Sequence, residues 1–146
     1  MTAQPGSPGP GLDIVDGIVQ LSFRVQEILA ETGAEHDLSM TQLRLLGILR
    51  DRDAEMLQLA AYLGLDKSSV TGLVTRAERR DLLRRLPSPR DRRATLVTLT
   101  AHGRDLVADG ERRIRAQIAA LTAPLTAPQQ DALTALLAQI LGTPAP

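Results

Sequence analysis

The chain has 146 residues, 43% of them apolar and 23% charged, with no cysteine and a formal net charge of zero. That length suits one domain with a substantial core rather than two, and the lack of thiols excludes disulfides, thiolate metal sites and thiol-based redox sensing. No apolar run approaches the ~18 residues a membrane helix needs; the N-terminal MTAQPGSPGPG has neither the basic head nor the apolar stretch of a secretory signal, so a cytoplasmic protein is expected.

Residues 1–11, rich in Pro and Gly, are expected to form a disordered tail, because they carry too little apolar area to offset ordering entropy. A single domain is expected over 12–142. Ile14, Ile18, Leu21, Val25 and Ile28 recur at spacings of 4, 3, 4 and 3, one stripe along a helix over 13–32. Asp13 or Asp16 suits its first turn and Gly33 its exit. A second helix over 39–50 has Ser39 or Thr41 to cap it and Arg50 near its end, favourable for the helix dipole. The DRDAE segment then reads as a polar connection. A short third helix over 56–63, with Leu57, Ala60 and Ala61 toward a core, stops at Gly64. Asp66 caps a fourth helix, in which Val70, Leu73, Val74 and Ala77 form the buried stripe. Lys67, Ser68, Thr71, Gly72, Thr75, Arg76 and Arg79 are left on its open face. Two short antiparallel strands, 82–86 and 95–99, flank PSPRDRRA, a loop restricted by Pro87 and Pro89.

Thr100 caps a long helix in which Val107, Ile114 and Leu121 recur every seven residues and Ile118 and Leu125 extend the stripe. Pro124 and Pro128 bracket a break. A last helix from Thr126 or Ala127 carries Leu133, Leu136, Leu137, Ile140 and Leu141 and ends at Gly142 and Pro144.

The neutral total hides sorted charge. Residues 1–66 hold 4 basic and 10 acidic side chains, a balance of −6, whereas residues 67–93 hold 9 and 3, a balance of +6. A compact basic segment is where a polyanion binds, and this one coincides with two helices joined by a Gly turn and followed by an arginine-tipped hairpin. That order is a winged helix-turn-helix, whose second helix enters the major groove of DNA. Ser68, Ser69 and Thr71 can donate to phosphates or bases, and Arg76 can reach guanine or a phosphate. Gly72, costly in a helix interior by about 1 kcal/mol, allows either close approach of DNA or tight packing on the third helix. Arg90, Arg92 and Arg93 suit a narrow minor groove, with Asp91 either orienting a guanidinium or stiffening the loop.

The segments LAAYLGLDKSSVTGLVTRAERR (59–80) and RDRRATLVTLTAHGRDL (90–106) resemble the MarR family of bacterial transcription regulators, a resemblance that extends over about 12–141. Its wing signature falls on Asp91, Arg93, Leu99, Thr100, Gly103 and Arg104. Two positions depart from the family: Asp81 stands where Gly is usual after the recognition helix, and Thr75 where an acid is frequent. The resemblance implies a mainly α (α+β) winged helix-turn-helix with a DNA-binding core over 39–100 and dimerisation helices over 13–32 and 101–142. It implies a homodimer, held through Ile14, Ile18, Leu21, Ile118, Leu121, Leu133, Leu137 and Ile140, on a pseudo-palindromic operator in double-stranded DNA. Members commonly act as repressors released by a small, often phenolic, ligand, here expected near the first, second and fifth helices. Apart from the resemblance, His36 and Arg44 are either binding residues for a small anionic ligand or a surface loop residue and a solvated helix residue. The alternative is a winged-helix interaction or architectural module without operator specificity. With two isolated histidines and no thiol, no metal site or cofactor is expected. Neither a phosphate-cradling Gly loop nor a nucleophile–base pair points to an enzyme.

Overall fold

The computed structural model describes residues 11–142, in the order α1 (Ile14–Glu35), α2 (Met40–Asp51), β1 (Ala54–Glu55), α3 (Met56–Leu63), α4 (Lys67–Arg79), β2 (Leu83–Pro87), β3 (Thr95–Leu99), α5 (Ala101–Thr122) and α6 (Ala127–Leu141). The tail expected over 1–11 lies, except for Gly11, outside the described residues, as does Pro144. Polar N-caps fix where the helices start: Asp13 accepts from the Asp16 amide, Ser39 from Gln42, Asp66 from Ser69 and Thr100 from Gly103. Each satisfies an amide that has no partner inside its helix.

Three helices end in the same way. Leu38 N–H donates to Gly33 C=O, Leu65 N–H to Ala60 C=O and Leu82 N–H to Ala77 C=O, each turn placing a leucine back against the core. The residue that makes such a turn needs a left-handed backbone. Gly64 supplies it after α3 with φ 64°, but Asp37 and Asp81 adopt φ 53° and 55° after α1 and α4. Asp tolerates this region better than most residues, yet less well than Gly. Replacing Asp81 by Gly is therefore expected to stabilise the fold by about 0.5–1 kcal/mol, seen as a higher urea midpoint at constant m; a lower midpoint would show that the Asp81 carboxylate itself contributes.

Gly33 does not end α1, contrary to the sequence expectation. The helix continues through Glu35, and Gly33 is buried beneath the closing turn, where an added Cβ would stand 2.8 Å from the Leu38 carbonyl oxygen. On α3 the buried face is Leu59 and Leu63, with Ala60 packed against the core as expected, while Leu57 is 71% exposed and Ala61 is also exposed, contrary to expectation. The DRDAE connection is not wholly irregular either. Ala54 and Glu55 form β1, and Ala54 is buried opposite Val97. The sheet runs β1–β3–β2, all antiparallel, with Leu83 paired to Leu99 and Pro87 to Thr95, one residue later on β2 than the sequence suggests.

Every buried apolar side chain among the described residues falls between Leu38 and Leu99. Leu45, Leu46, Leu59, Val70, Val74, Leu82, Leu83 and Val97 form its centre, with Leu106 and Val107 of α5 packed against it. The helix-turn-helix and wing thus carry their own core. By contrast, α1 leaves Ile14, Ile18 and Leu21 exposed, and α6 leaves Leu136, Leu137, Ile140 and Leu141 exposed.

Candidate nucleic-acid interface and effector cavity

Helix α4 buries Val70, Leu73, Val74 and Ala77 and leaves Lys67, Ser68, Ser69, Thr71 and Arg76 exposed, with Gly72 and Thr75 half-buried. The hydroxyls on this face are oriented. Ser68 Oγ and Ser69 Oγ donate to the two carboxylate oxygens of Asp66 at 2.7 and 2.8 Å, and Thr71 Oγ1 donates to the Lys67 carbonyl at 2.8 Å. The Ser68 hydroxyl, then the Ser69 amide and hydroxyl, hold the Asp66 carboxyl far below the usual carboxylate range. With Asp66 ionised, its carboxylate takes the protons of both serine hydroxyls and the Lys67 carbonyl takes that of Thr71, leaving the oxygens with free lone pairs. The three hydroxyls are acceptors here rather than the donors the sequence suggested. Such groups match the exocyclic amines of adenine and cytosine better than they match phosphates.

Donors come from the basic side chains. Arg76 lies along its own helix, with Nη1 at 3.2 Å from where a Cβ on Gly72 would stand, and no atom of α3 comes within 4 Å of that point. Gly72 makes room for a folded-back guanidinium, so packing on α3 does not explain it. Ser39 and Thr41, read from the sequence only as caps, line a groove together with Ser68, Ser69, Gly72 and Arg76. Thr75 is engaged from the wing: its Oγ1 accepts from Arg85 Nη2 at 2.9 Å, and the same guanidinium pairs with Glu78. Arg85 was not singled out in the sequence. In a strand its neighbour Arg84 faces the opposite way, and only the register shows which of the two meets α4.

The wing is stiffened at its base and left cationic at its tip. Ser88, buried to 2% exposure, donates to Glu55 Oε1 at 2.6 Å and accepts from the Arg90 amide, which ties the loop to β1. Asp91 Oδ1 accepts from the backbone amide of Arg93 at 2.9 Å, and Ala94 N–H closes the turn on the Asp91 carbonyl. Asp91 thus shapes the backbone and does not orient a guanidinium. Of the nine basic residues in 67–93, Arg85 alone has an acid partner among the described residues.

A second feature lies between α1, α2 and α5, a cavity of about 350 Å³ walled by Leu29, Leu43, Leu46, Val107 and Ile114. His36, Arg44, Arg50, Glu111 and Arg115 supply its polar groups. Arg50 and Arg115 are already paired with Glu111. Arg44 has no acid partner among the described residues; its Nη2 reaches only the Tyr62 carbonyl at 3.4 Å. His36 Nε2 is buried without a hydrogen bond, 3.2 Å from Asp109 Oδ2, an oxygen that also accepts from Arg113 Nε. The structure thus brings His36 and Arg44 to one cavity. Among the described residues no group of three or more His, Cys, Asp or Glu side chains could hold a metal, and no helix is long and apolar enough to cross a membrane.

Of the expected dimer residues, Ile14, Ile18, Leu21, Leu137 and Ile140 are exposed, whereas Ile118, Leu121 and Leu133 are half-buried within the chain. The last three are therefore weaker candidates for contacting another molecule.

The same architecture occurs in solved structures. The fold matches RV1404 from Mycobacterium tuberculosis at 30% identity and TM-score 0.75, over 90% of this chain and 93% of that one. It matches wild-type MarR from E. coli at 24% identity and TM-score 0.76, over 91% and 99% of the two chains. BpsR of Bordetella bronchiseptica, whose DNA binding is regulated by 6-hydroxynicotinic acid, matches at 24% identity and TM-score 0.71, over 95% and 100%. No curated protein matches the sequence. The MarR family model matches residues 36–94, from the turn after α1 to the tip of the wing. With that match, the winged-helix architecture and the whole-chain likeness to RV1404, the chain belongs to the MarR family of transcription regulators.

Proposed function

We infer that the protein represses transcription by binding a pseudo-palindromic operator as a homodimer. In this reading α4 reads the major groove through Lys67, Ser68, Ser69, Thr71 and Arg76, and Arg90, Arg92 and Arg93 extend the contact to the flanking minor groove. The observation that carries it is the concentration of uncompensated cations: eight of the nine basic residues in 67–93 lack an acid partner among the described residues. Elsewhere Arg24, Arg50, Arg112, Arg113 and Arg115 are paired, and among the described residues only Arg44, Arg52 and Arg104 are not. Clustered basic groups left without acids are matched to phosphates, whose counterions are released on binding.

Residues 39–100 form the DNA-binding part, and the helices over 13–32 and 101–142 hold the two copies together. The exposed stripes of α1 and α6 support that assignment, because neither has a partner within the chain. The cavity between α1, α2 and α5 suits a small aromatic acid, its ring against aliphatic walls and its anionic group toward Arg44 and His36. BpsR answers to a hydroxylated aromatic acid of this chemical type.

The test is binding of the purified chain to its own upstream intergenic DNA against a random duplex, over a range of salt. Preference for the intergenic duplex and a steep loss with salt are expected. Replacing Arg90, Arg92 and Arg93 by Ala should flatten the slope of log K against log salt by up to about 2.7, at ~0.9 for each phosphate no longer neutralised. Equal binding of both duplexes by the unaltered protein would reject the operator reading.

A further inference from the structure

We propose that Arg80 is a positioning residue that fixes the recognition helix to the end of α1 and so sets the half-site spacing the dimer accepts. The inference rests on the dimeric-operator reading above.

Arg80 is the C-cap of α4, and its guanidinium crosses to the turn after α1. Nη2 donates to the His36 carbonyl at 2.7 Å and Nη1 to the Asp37 carbonyl at 2.8 Å, contacts that span 44 and 43 residues of sequence. Both acceptors are carbonyls at the end of a helix, left without partners by the helix itself. Two helix C-termini, each with partial negative charge, meet at this point, and one planar cation serves both. The neighbouring Arg79 and Arg84 make no such contact among the described residues, which singles Arg80 out from the basic run around it.

The end of α1 is in turn fixed to α5. Glu35 pairs with Arg113, Asp109 accepts from Arg112 at 2.9 Å and from Arg113 at 3.1 Å, and His36 Nε2 lies beside Asp109. Gly110 faces Thr32 there, at 3.6 Å from an added Cβ to Cγ2, so the helices run close together. α1, which carries part of the proposed dimer contact, and α5 therefore behave as one body at this level. Arg80 is the side-chain bridge from that body to the far end of the reading helix. The core and the wing hold this end through the buried Ala77 and Leu82 and the Arg85–Glu78 pair, and Arg80 is the side chain that ties it to the end of α1. Two reading helices on a two-fold dimer must meet grooves about one helical turn apart, so a loosened α4 end changes which spacings are tolerated.

The test uses the full chain and duplexes carrying its selected half-sites at the preferred spacing, at one base pair more and one fewer, and a duplex with a lone half-site. Unaltered protein should lose roughly tenfold or more in affinity for either altered spacing. Arg80→Ala should bring that loss to roughly threefold or less while the lone half-site is bound as before, and Arg80→Lys, which keeps a cation able to donate to these carbonyls, should restore part of the discrimination. Arg80 is exposed, so the alanine variant is expected to fold, which a thermal melt checks. Equal weakening on every duplex, lone half-site included, would overturn the proposal and make Arg80 a phosphate contact or a stabiliser of α4. An unchanged spacing profile would overturn it too. Spacing-independent binding by the unaltered protein would instead reject the dimeric operator, and this inference with it.

Discussion

Replacing Gly103 with Ala should destabilise the protein by about 3 kcal/mol or more, the upper end of what overpacking costs. A Cβ at this position would stand 1.8 Å from the Leu82 carbonyl oxygen and 2.8 Å from its carbon, so backbone would meet methyl with no side chain to move aside. Nor can Leu82 retreat cheaply. Its carbonyl accepts from the Thr100 amide at 3.1 Å, its own amide closes the turn after α4, and its side chain is 1% exposed in the core. Any shift that admits the methyl breaks the join between the recognition helix, the wing and the start of α5. Gly47 is the control. It lies in α2 with nothing within 4 Å of an added Cβ, so Gly47→Ala should gain up to about 1 kcal/mol from helix propensity alone. Urea denaturation of the two variants decides the point. If Gly103→Ala unfolds within ~1 kcal/mol of the unaltered protein, the backbone at this junction is softer than the geometry implies.

Gly103 also shows how much of the fold the sequence made legible, and where it stopped. Its place in the wing signature marked it out, but only the approach of α5 to Leu82 says why Gly stands there. Helix starts were readable because each has a chemical cause within four residues, as at Ser39 with Gln42 or Asp66 with Ser69. The stripe of α4 was readable because the period of a helix selects Val70, Leu73, Val74 and Ala77 together. β1 was not, since a strand of two residues has no period and exists only because Val97 and Leu96 lie opposite. The inward face of α3 was misjudged in part for a related reason. In LQLAAYL nearly every position is apolar, and composition cannot then choose a face. Candidate site residues were legible as types but not as partners. That Asp66 would turn two serine hydroxyls into acceptors, or that Arg85 would occupy Thr75, depends on side-chain geometry across elements. Arg80 was hidden by its surroundings: in a run of cations, sequence cannot show which one reaches across to the end of α1.

The largest expected effect on function comes from introducing charge into the two exposed stripes. Ile18 and Ile140 are 54% and 69% exposed in the single chain, so Ile18→Asp with Ile140→Asp should leave the core intact, every buried apolar side chain of which lies between Leu38 and Leu99. In a two-fold dimer the pair of substitutions removes four isoleucines, each worth about 1.5–3 kcal/mol when buried, and puts carboxylates in their place. A loss of at least ~6 kcal/mol raises the dimer dissociation constant by more than about four orders of magnitude. Sedimentation at micromolar concentration should then show a monomer with the circular dichroism of a folded chain. Operator affinity should fall by roughly 10²–10⁴-fold, because the second half-site no longer binds as an intramolecular event. Leu57→Asp, on an equally exposed leucine of α3, should leave the dimer in place. A double variant that still sediments as a dimer would place the interface elsewhere. A monomeric variant that keeps full operator affinity would show that one copy suffices for reading, in which case the exposed faces of α1 and α6 have some other occupant.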